Sequence, residues 1–346
     1  MKNTKLNFLA LAFAATLTAC GGGGGGGGEG AAPLPVPIVV AAPTPPTTVP
    51  IVTSVPTPTY AVGSEEKAAF DLLNAERAHC GFGLLAQNAA LDTAARGHAD
   101  WLLINGYTGH YQVIGTPGFT GVTPYERAVF AGYETAGDFA YGEVESDQNG
   151  SKLGAGARES RSLLNAPYHL MFMLRGHRGL GVSVRDKTDV ASALHSGHAV
   201  NIGMGFGKTE SMQAPAPGSL RTYPCNGSVG IDREMRGENP NPVPGRNLRA
   251  LPLGSSIGVV VDVGHTITIS AATMTNVGSG ANVVVRPAVT AANDPNPVNG
   301  TSYFTSNEAF ISADAPLDPL TTYQVTISGA DNGVAFTRTF QFTTGN

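Results

Sequence analysis

The sequence predicts an α+β protein in two folded parts, the first with helices followed by strands and the second all β. Between Ser64 and Asn165 apolar residues recur at helical spacing, whereas from about Asn247 onward the period is two. Composition narrows the class further. Only 14% of residues are charged, and 45 Gly and 24 Pro stand among 346 residues, which excludes coiled coils and charge-driven disorder. A formal net charge of −5 leaves no basic footprint for nucleic acid.

The chain begins with Lys2 and Lys5 ahead of an apolar stretch from Phe8 to Leu17. That stretch is too short to span a bilayer, which takes about 20 residues, and fits a signal peptide over residues 1–19. Leu17-Thr18-Ala19-Cys20 resembles a bacterial lipobox, which implies acylation of Cys20 and a lipid anchor in the membrane. The alternative is an ordinary signal peptide with a chance cysteine. By the same resemblance, Gly21 after the cysteine implies the outer membrane of a bacterial envelope. Residues 20–59 hold a Gly run and nine prolines, and read as a tether, flexible and then extended.

A first folded domain is expected over 60–212. Ser64 is a natural N-cap, with Glu65 and Glu66 in the first turn and Phe70, Leu73 and Arg77 at helical spacing behind it. Leu91, Ala94, Ala95, His98, Ala99 and Leu102 form one face of a second helix. Thr123-Pro124-Tyr125-Glu126 reads as a capping box that opens a short helix to about Ala131. A fourth helical stretch, about 158–165, stops before Pro167. Segments 179–185 and 199–206 are strand-like, so a sheet flanked by helices is expected.

These residues also carry a resemblance. Leu73-Asn74-Ala75-Glu76-Arg77 is followed by Asn88, Leu91, Ala94-Ala95 and His98-Ala99. Then come Gly109-His110, Pro124 with Arg127, Gly132-Tyr133, Gly142-Glu143, Leu163 through His169, Gly179-Leu180-Gly181-Val182 and Asn201-Ile202-Gly203. The ordered series, over roughly 64–207, resembles the CAP superfamily of cysteine-rich secretory, antigen 5 and pathogenesis-related proteins. The resemblance implies an α–β–α sandwich with a cleft on one side, carrying two His and two Glu. It places His110, Glu143 and His169 in that cleft. The second Glu would fall near Ala166, where no carboxylate stands.

Two imidazoles and a carboxylate could hold a divalent metal, zinc above all, with an open water position. Glu143 could instead serve as a general base, which makes it the candidate catalytic residue. Alternatively the three side chains only pair with one another and fix loops. His98, on the buried helix face, reads as a satisfied core histidine. His195 and His198, in a Ser/Gly/His loop, read as solvent-exposed. Glu143 and Glu145 alternate and would share a face of a strand. No phosphate loop, dinucleotide fingerprint or Gly-x-Ser-x-Gly elbow is present in the first domain.

With Cys20 lipidated, Cys80 and Cys225 remain in an oxidising compartment and are expected to pair, two buried thiols being the alternative. Residues 213–246, rich in Pro and Gly, read as a linker. A β-sandwich of about 100 residues is expected over 247–346, with strands near 257–263, 266–270, 282–286, 309–312, 323–328 and 334–343. Asp331-Asn332-Gly333 is a hairpin-turn signal between the last two. Pro319 through Ser328 and the closing Phe340-Gln341-Phe342-Thr343-Thr344-Gly345 resemble a bacterial Ig-like domain, which implies a spacer or adhesive module. The leading functional expectation is therefore an envelope lipoprotein whose CAP-like domain binds a lipid, a small molecule or a protein, with a metal in the cleft as an option. A metal-dependent hydrolase using His110, Glu143 and His169 is the first rival, and a purely structural or adhesive protein the second.

Overall fold

The computed structural model describes residues 48–134, 140–207 and 211–346. The signal-like segment, the candidate lipid attachment Cys20 and the tether before Thr48 lie outside the described residues.

The first domain opens with β1 (Thr48–Pro50), α1 (Glu65–His79), β2 (Ala86–Gln87) and α2 (Ala89–Asn105). It continues through α3 (Pro124–Phe130), β3 (Ala140–Gln148), α4 (Ala155–Asn165), α5 (Pro167–Leu174), β4 (Gly179–Asp186) and β5 (His198–Phe206). The caps expected from the sequence are in place. Ser64 Oγ accepts from Lys67 N at the start of α1, and Thr123 with Glu126 forms a complete capping box on α3. Asn88 caps α2, which ends on Gly106 in the left-handed region.

The domain sheet has the order β2-β4-β5-β3, so β5 is central, with all nine residues buried, and β3 is an edge. Cβ atoms alternate across a strand, and one face of this sheet carries glycine where α2 crosses it. Gly179 and Gly181 on β4 and Gly203 on β5 lie beneath α2; a Cβ at Gly181 would stand 2.1 Å from the Leu91 carbonyl carbon. The missing side chains let α2 lie directly on the backbone. The opposite face, through Val144, Val182, Val184, Val200, Ile202 and Met204, joins the main apolar core.

Two motif residues of α1 prove to be scaffold. Buried Arg77 donates to the carbonyls of Phe82, Gly83 and Met173, and Asn74 pairs with both backbone groups of Leu85. Desolvation lowers the Arg77 guanidinium to about 9.

The six expected strands of the second domain are present as β9 (Ser256–Val260), β10 (Ile267–Asn276), β11 (Asn282–Val283), β13 (Glu308–Ser312), β14 (Thr322–Asp331) and β15 (Val334–Thr344). An unexpected two-residue strand, β12 (Val289–Thr290), joins them. Asn332 and Gly333, at φ 46° and 82°, make the two-residue turn of the β14–β15 hairpin. Tyr323, Val325, Ile327, Phe340 and Phe342 are buried beneath it. This all-β region is consistent with an Ig-like domain.

Residues 213–246, expected to be a linker, are instead built into the fold. β6 (Met212–Ala214) pairs in parallel with β1; β7 (Arg221–Tyr223) pairs with β9, and β8 (Ser228–Ile231) with β15. The two sandwich sheets therefore run β11-β10-β14-β15-β8 and β12-β13-β9-β7. The last residues of the expected tether are docked as well: Val52 N donates to Gln213 Oε1 at 2.8 Å and Thr59 N to Gln87 Oε1 at 2.6 Å. Backbone groups shielded from water need partners, and short strands recruited from Pro-rich sequence supply them here.

The expected Cys80–Cys225 disulfide is formed. The described residues from Thr48 to Asn346 belong to one compact unit, with an apolar cluster running from Leu73 and Met171 through Ile257 and Val259 to Phe340. The seam is α5. A Cβ at Gly258 would meet the Met171 methyl at 2.4 Å, Tyr168 stacks on Phe304 at 5.0 Å, and Arg175 grips Glu308 at 2.9 Å. No helix among the described residues is long and apolar enough to cross a membrane.

Candidate functional site

The site lies at the β3 edge. Its carboxylates follow from strand alternation: Glu143, Glu145 and Asp147 occupy every second position of β3 and project to the side where α2 lies. His110 comes from the loop between α2 and α3, and His169 from the first turn of α5. Their ring centroids are 6.2 Å apart. The structure thus brings His110, Glu143 and His169 to one place.

Glu143 is wholly enclosed. Its Oε1 takes a short hydrogen bond from Arg127 Nη2 and lies 3.2 Å from His110 Nδ1 and 3.4 Å from His98 Nε2. Burial alone would raise this carboxyl, but His98, the His110 hydrogen bond and Arg127 outweigh it and bring it down to about 2. A carboxylate so held is a weak base: Oε1 faces Arg127 and His110, while Oε2 is buried with no hydrogen-bond partner among the described residues. The geometry gives Glu143 the part of a brace behind His110.

His98 is the core histidine expected from its helix face. It is fully buried; Nε2 donates to the Gly109 carbonyl at 3.0 Å and Nδ1 accepts from Gln112 Nε2 at 3.2 Å, which fixes the neutral tautomer. Burial pushes the imidazole down to about 4, against the pull of Glu143. Gln112 in turn accepts from Thr120 N at 2.8 Å. His98 therefore anchors the loop one residue before His110, a role invisible in its position on a helix.

His169 faces a residue the sequence reading placed in a linker. Its Nδ1 lies 2.7 Å from Glu238 Oε1, and the Glu238 carboxylate is fully buried. Burial works to lower the His169 imidazole, but Glu238 and, less strongly, Glu145 prevail and raise it. Among the described residues neither His110 Nε2 nor His169 Nε2 has a hydrogen-bond partner, and the side chains are 34% and 14% exposed. Glu145 accepts from the Gly109 backbone and is pushed up by burial, with Asp147 and Glu143 adding to the rise and His110 opposing it.

The expectation that His195 and His198 are exposed is overturned. His198 starts β5 and is fully buried, with Nε2 3.3 Å from Glu159 Oε1, while His195 forms a short ion pair with Asp147. His198 fails as a loop histidine because β3 and β5 run together up to the Gln148–His198 pair, while His195 stays in the loop and is half-buried by its pairing with Asp147.

Among the described residues no group of three or more His, Cys, Asp or Glu side chains is gathered as a metal site. Two hollows lie in the sandwich, one beside Val283 and Tyr323, the other beside Val243 and Phe310, and neither is lined by His110 or His169.

Residues 70–185 match the model of the CAP, cysteine-rich secretory protein family. The chain carries a CAP domain. No curated protein matches the chain. Among solved structures, an extracellular protein containing an SCP domain from Bacillus anthracis is 23% identical, with a TM-score of 0.33. That match covers 42% of this chain and 40% of the other, so the chain spans well under half of that protein's length. A DUF4426 family protein from Pseudomonas aeruginosa is 18% identical over 27% of this chain and 74% of its own, with a TM-score of 0.18.

Proposed function

We propose that this chain is a bacterial envelope lipoprotein whose CAP domain binds a ligand through the outward edges of His110 and His169. One observation carries the reading: each imidazole has its Nδ1 against a buried carboxylate, Glu143 for His110 and Glu238 for His169, and turns Nε2 away from it. Carboxylates placed behind histidines fix ring orientation and raise basicity at the other nitrogen, the arrangement that also backs metal-binding imidazoles. The donor chemistry suits zinc, with His110 and His169 as its holders, but among the described residues no third side chain joins them in a preformed centre. A bound zinc would supply Lewis acidity and a water of lowered pKa; the chain's own part is to orient the two rings.

Binding is favoured over hydrolysis because Glu143, the carboxylate a hydrolase would use, is wholly enclosed and held down to about 2, which makes it a weak base. The sandwich, sharing its core with the CAP domain, serves as a rigid extension or adhesive module. The lipobox-like Leu17-Thr18-Ala19-Cys20 supports the anchor, which predicts that Cys20→Ala moves the protein from the membrane to the soluble fraction.

Elemental analysis and zinc titration calorimetry, run on wild type and on a His110→Ala/His169→Ala double variant, test the site. Stoichiometric zinc lost in the double variant makes the ligand a metal. An absence of zinc in a folded wild type directs the search to organic or protein ligands. A ligand retained by the double variant would overturn the assignment of the site.

A further inference from the structure

The family resemblance puts a second glutamate beside Ala166, and the structure explains why none can stand there. Ala166 is 5% exposed and packs with Met235, Leu248 and Leu253 from the segment after the CAP domain. A carboxylate among those side chains would be desolvated without a partner. The same packing leaves α5 with no side-chain cap of its own at Ala166, although the first backbone N–H groups of a helix need acceptors.

Glu238 meets both needs at once. Its Oε2 accepts from Tyr168 N at 3.0 Å, in the first turn of α5, where the positive end of the helix favours a carboxylate. Its Oε1 lies 2.7 Å from His169 Nδ1 and accepts from Asn239 N at 3.0 Å. The side chain has no solvent exposure and arrives from 70 residues beyond Tyr168.

We propose that Glu238 is a positioning residue of the histidine site, replacing the glutamate absent beside Ala166, so that the site is completed only by the segment following the CAP domain. The proposal rests on the reading of His169 as a ligand-facing group. It assigns the His169 ring a fixed orientation, with Nδ1 held against the Glu238 carboxylate and Nε2 presented outward. It also makes Met235, Leu248 and Leu253, which seat the Glu238 segment against Ala166, part of what holds the site in shape.

Nitrogen-15 NMR of the histidine side chains on the full two-domain protein tests it, with Glu238→Gln and Glu238→Ala variants and His169→Gln to assign the resonance. Wild type is expected to show a His169 Nδ1 proton protected from solvent exchange. Glu238→Ala should lose that protection at least tenfold. Glu238→Gln retains one acceptor, so the Tyr168 amide should stay protected and α5 capped while the charged partner of His169 is gone and its Nδ1 proton exchanges faster. A purely capping role predicts the reverse in Glu238→Gln, with both protons as slow as in wild type. A His169 Nδ1 proton equally protected in wild type and both variants overturns the proposal. Zinc titration of the same samples keeps the two readings apart: a wild type that takes up no zinc counts against the metal form of the binding site, whereas the NMR result alone decides Glu238.

Discussion

Glu143 and Asp147 project from the same face of β3, and both side chains are almost completely buried, yet they are driven in opposite directions. Burial raises both. At Glu143 it is overcome by His98, His110 and Arg127, and the carboxyl falls to about 2; at Asp147 it prevails over His195 and His198, and the carboxyl rises. With His98 itself pushed down to about 4, the cation permanently opposite Glu143 at neutral pH is Arg127. The contrast teaches that on one strand burial pushes each carboxylate up, and its state is decided by whether the partners packed against it, His98, His110 and Arg127 at Glu143, outweigh that burial.

The most direct way to break the contrast is Arg127→Met. It leaves Glu143 as a buried charge without its cation, and should cost about 3–5 kcal/mol in urea unfolding at pH 7. A loss under ~1 kcal/mol would mean the histidines alone hold Glu143. Next in size is Glu143→Gln, expected to cost about 2–3 kcal/mol through the lost charged hydrogen bonds. It also has a signature in pH. Glu143 titrates lower in the folded chain than its ordinary 4.5, so its contribution is present above that value and is lost as pH falls toward about 2. The variant should lack this part of the acid slope.

Smallest is the Glu145→Gln/Asp147→Asn pair, made together because the two carboxyls influence each other. Their folded values are raised, so their contribution is present below the unfolded values and lost as pH rises through the folded ones. At pH 7 the double variant should lie within ~1 kcal/mol of wild type, on the stabilised side, with a flatter slope between acid and neutral pH. Unfolding curves from pH 3 to 8 check this; a double variant as damaged as Glu143→Gln would erase the distinction between the two ends of β3.

Much of this was legible in the chain. Ser64 and the Thr123–Glu126 box announce helix starts by local chemistry, and Asn332-Gly333 announces its hairpin in the same way. His110, Glu143 and His169 were found through the ordered motif series. What was missed depends on distant partners. Pro167 was read as the end of one helix, but it occupies the first position of another, α5, whose almost uniformly apolar sequence reflects burial between two domains. Strands β7 and β8, of three and four residues, are too short to show a period and exist because β9 and β15 pair with them. His198 gave no sign that β5 begins with it, and Glu238 sits among Gly, Pro and Asn with nothing local to mark it.

The disulfide has a further effect. Cys80 and Cys225 are 145 residues apart, and His98, His110, Glu143 and His169 all fall between them. Exposed loop tips are where proteases cut, and this interval has its own at 149–153 and 187–196. A single cut at either would leave two pieces still covalently joined, with the histidines on the same molecule as the sandwich. Such a protein would run as one band without reductant and as two with it, and in a protease-rich setting it would tolerate nicking without shedding the CAP domain.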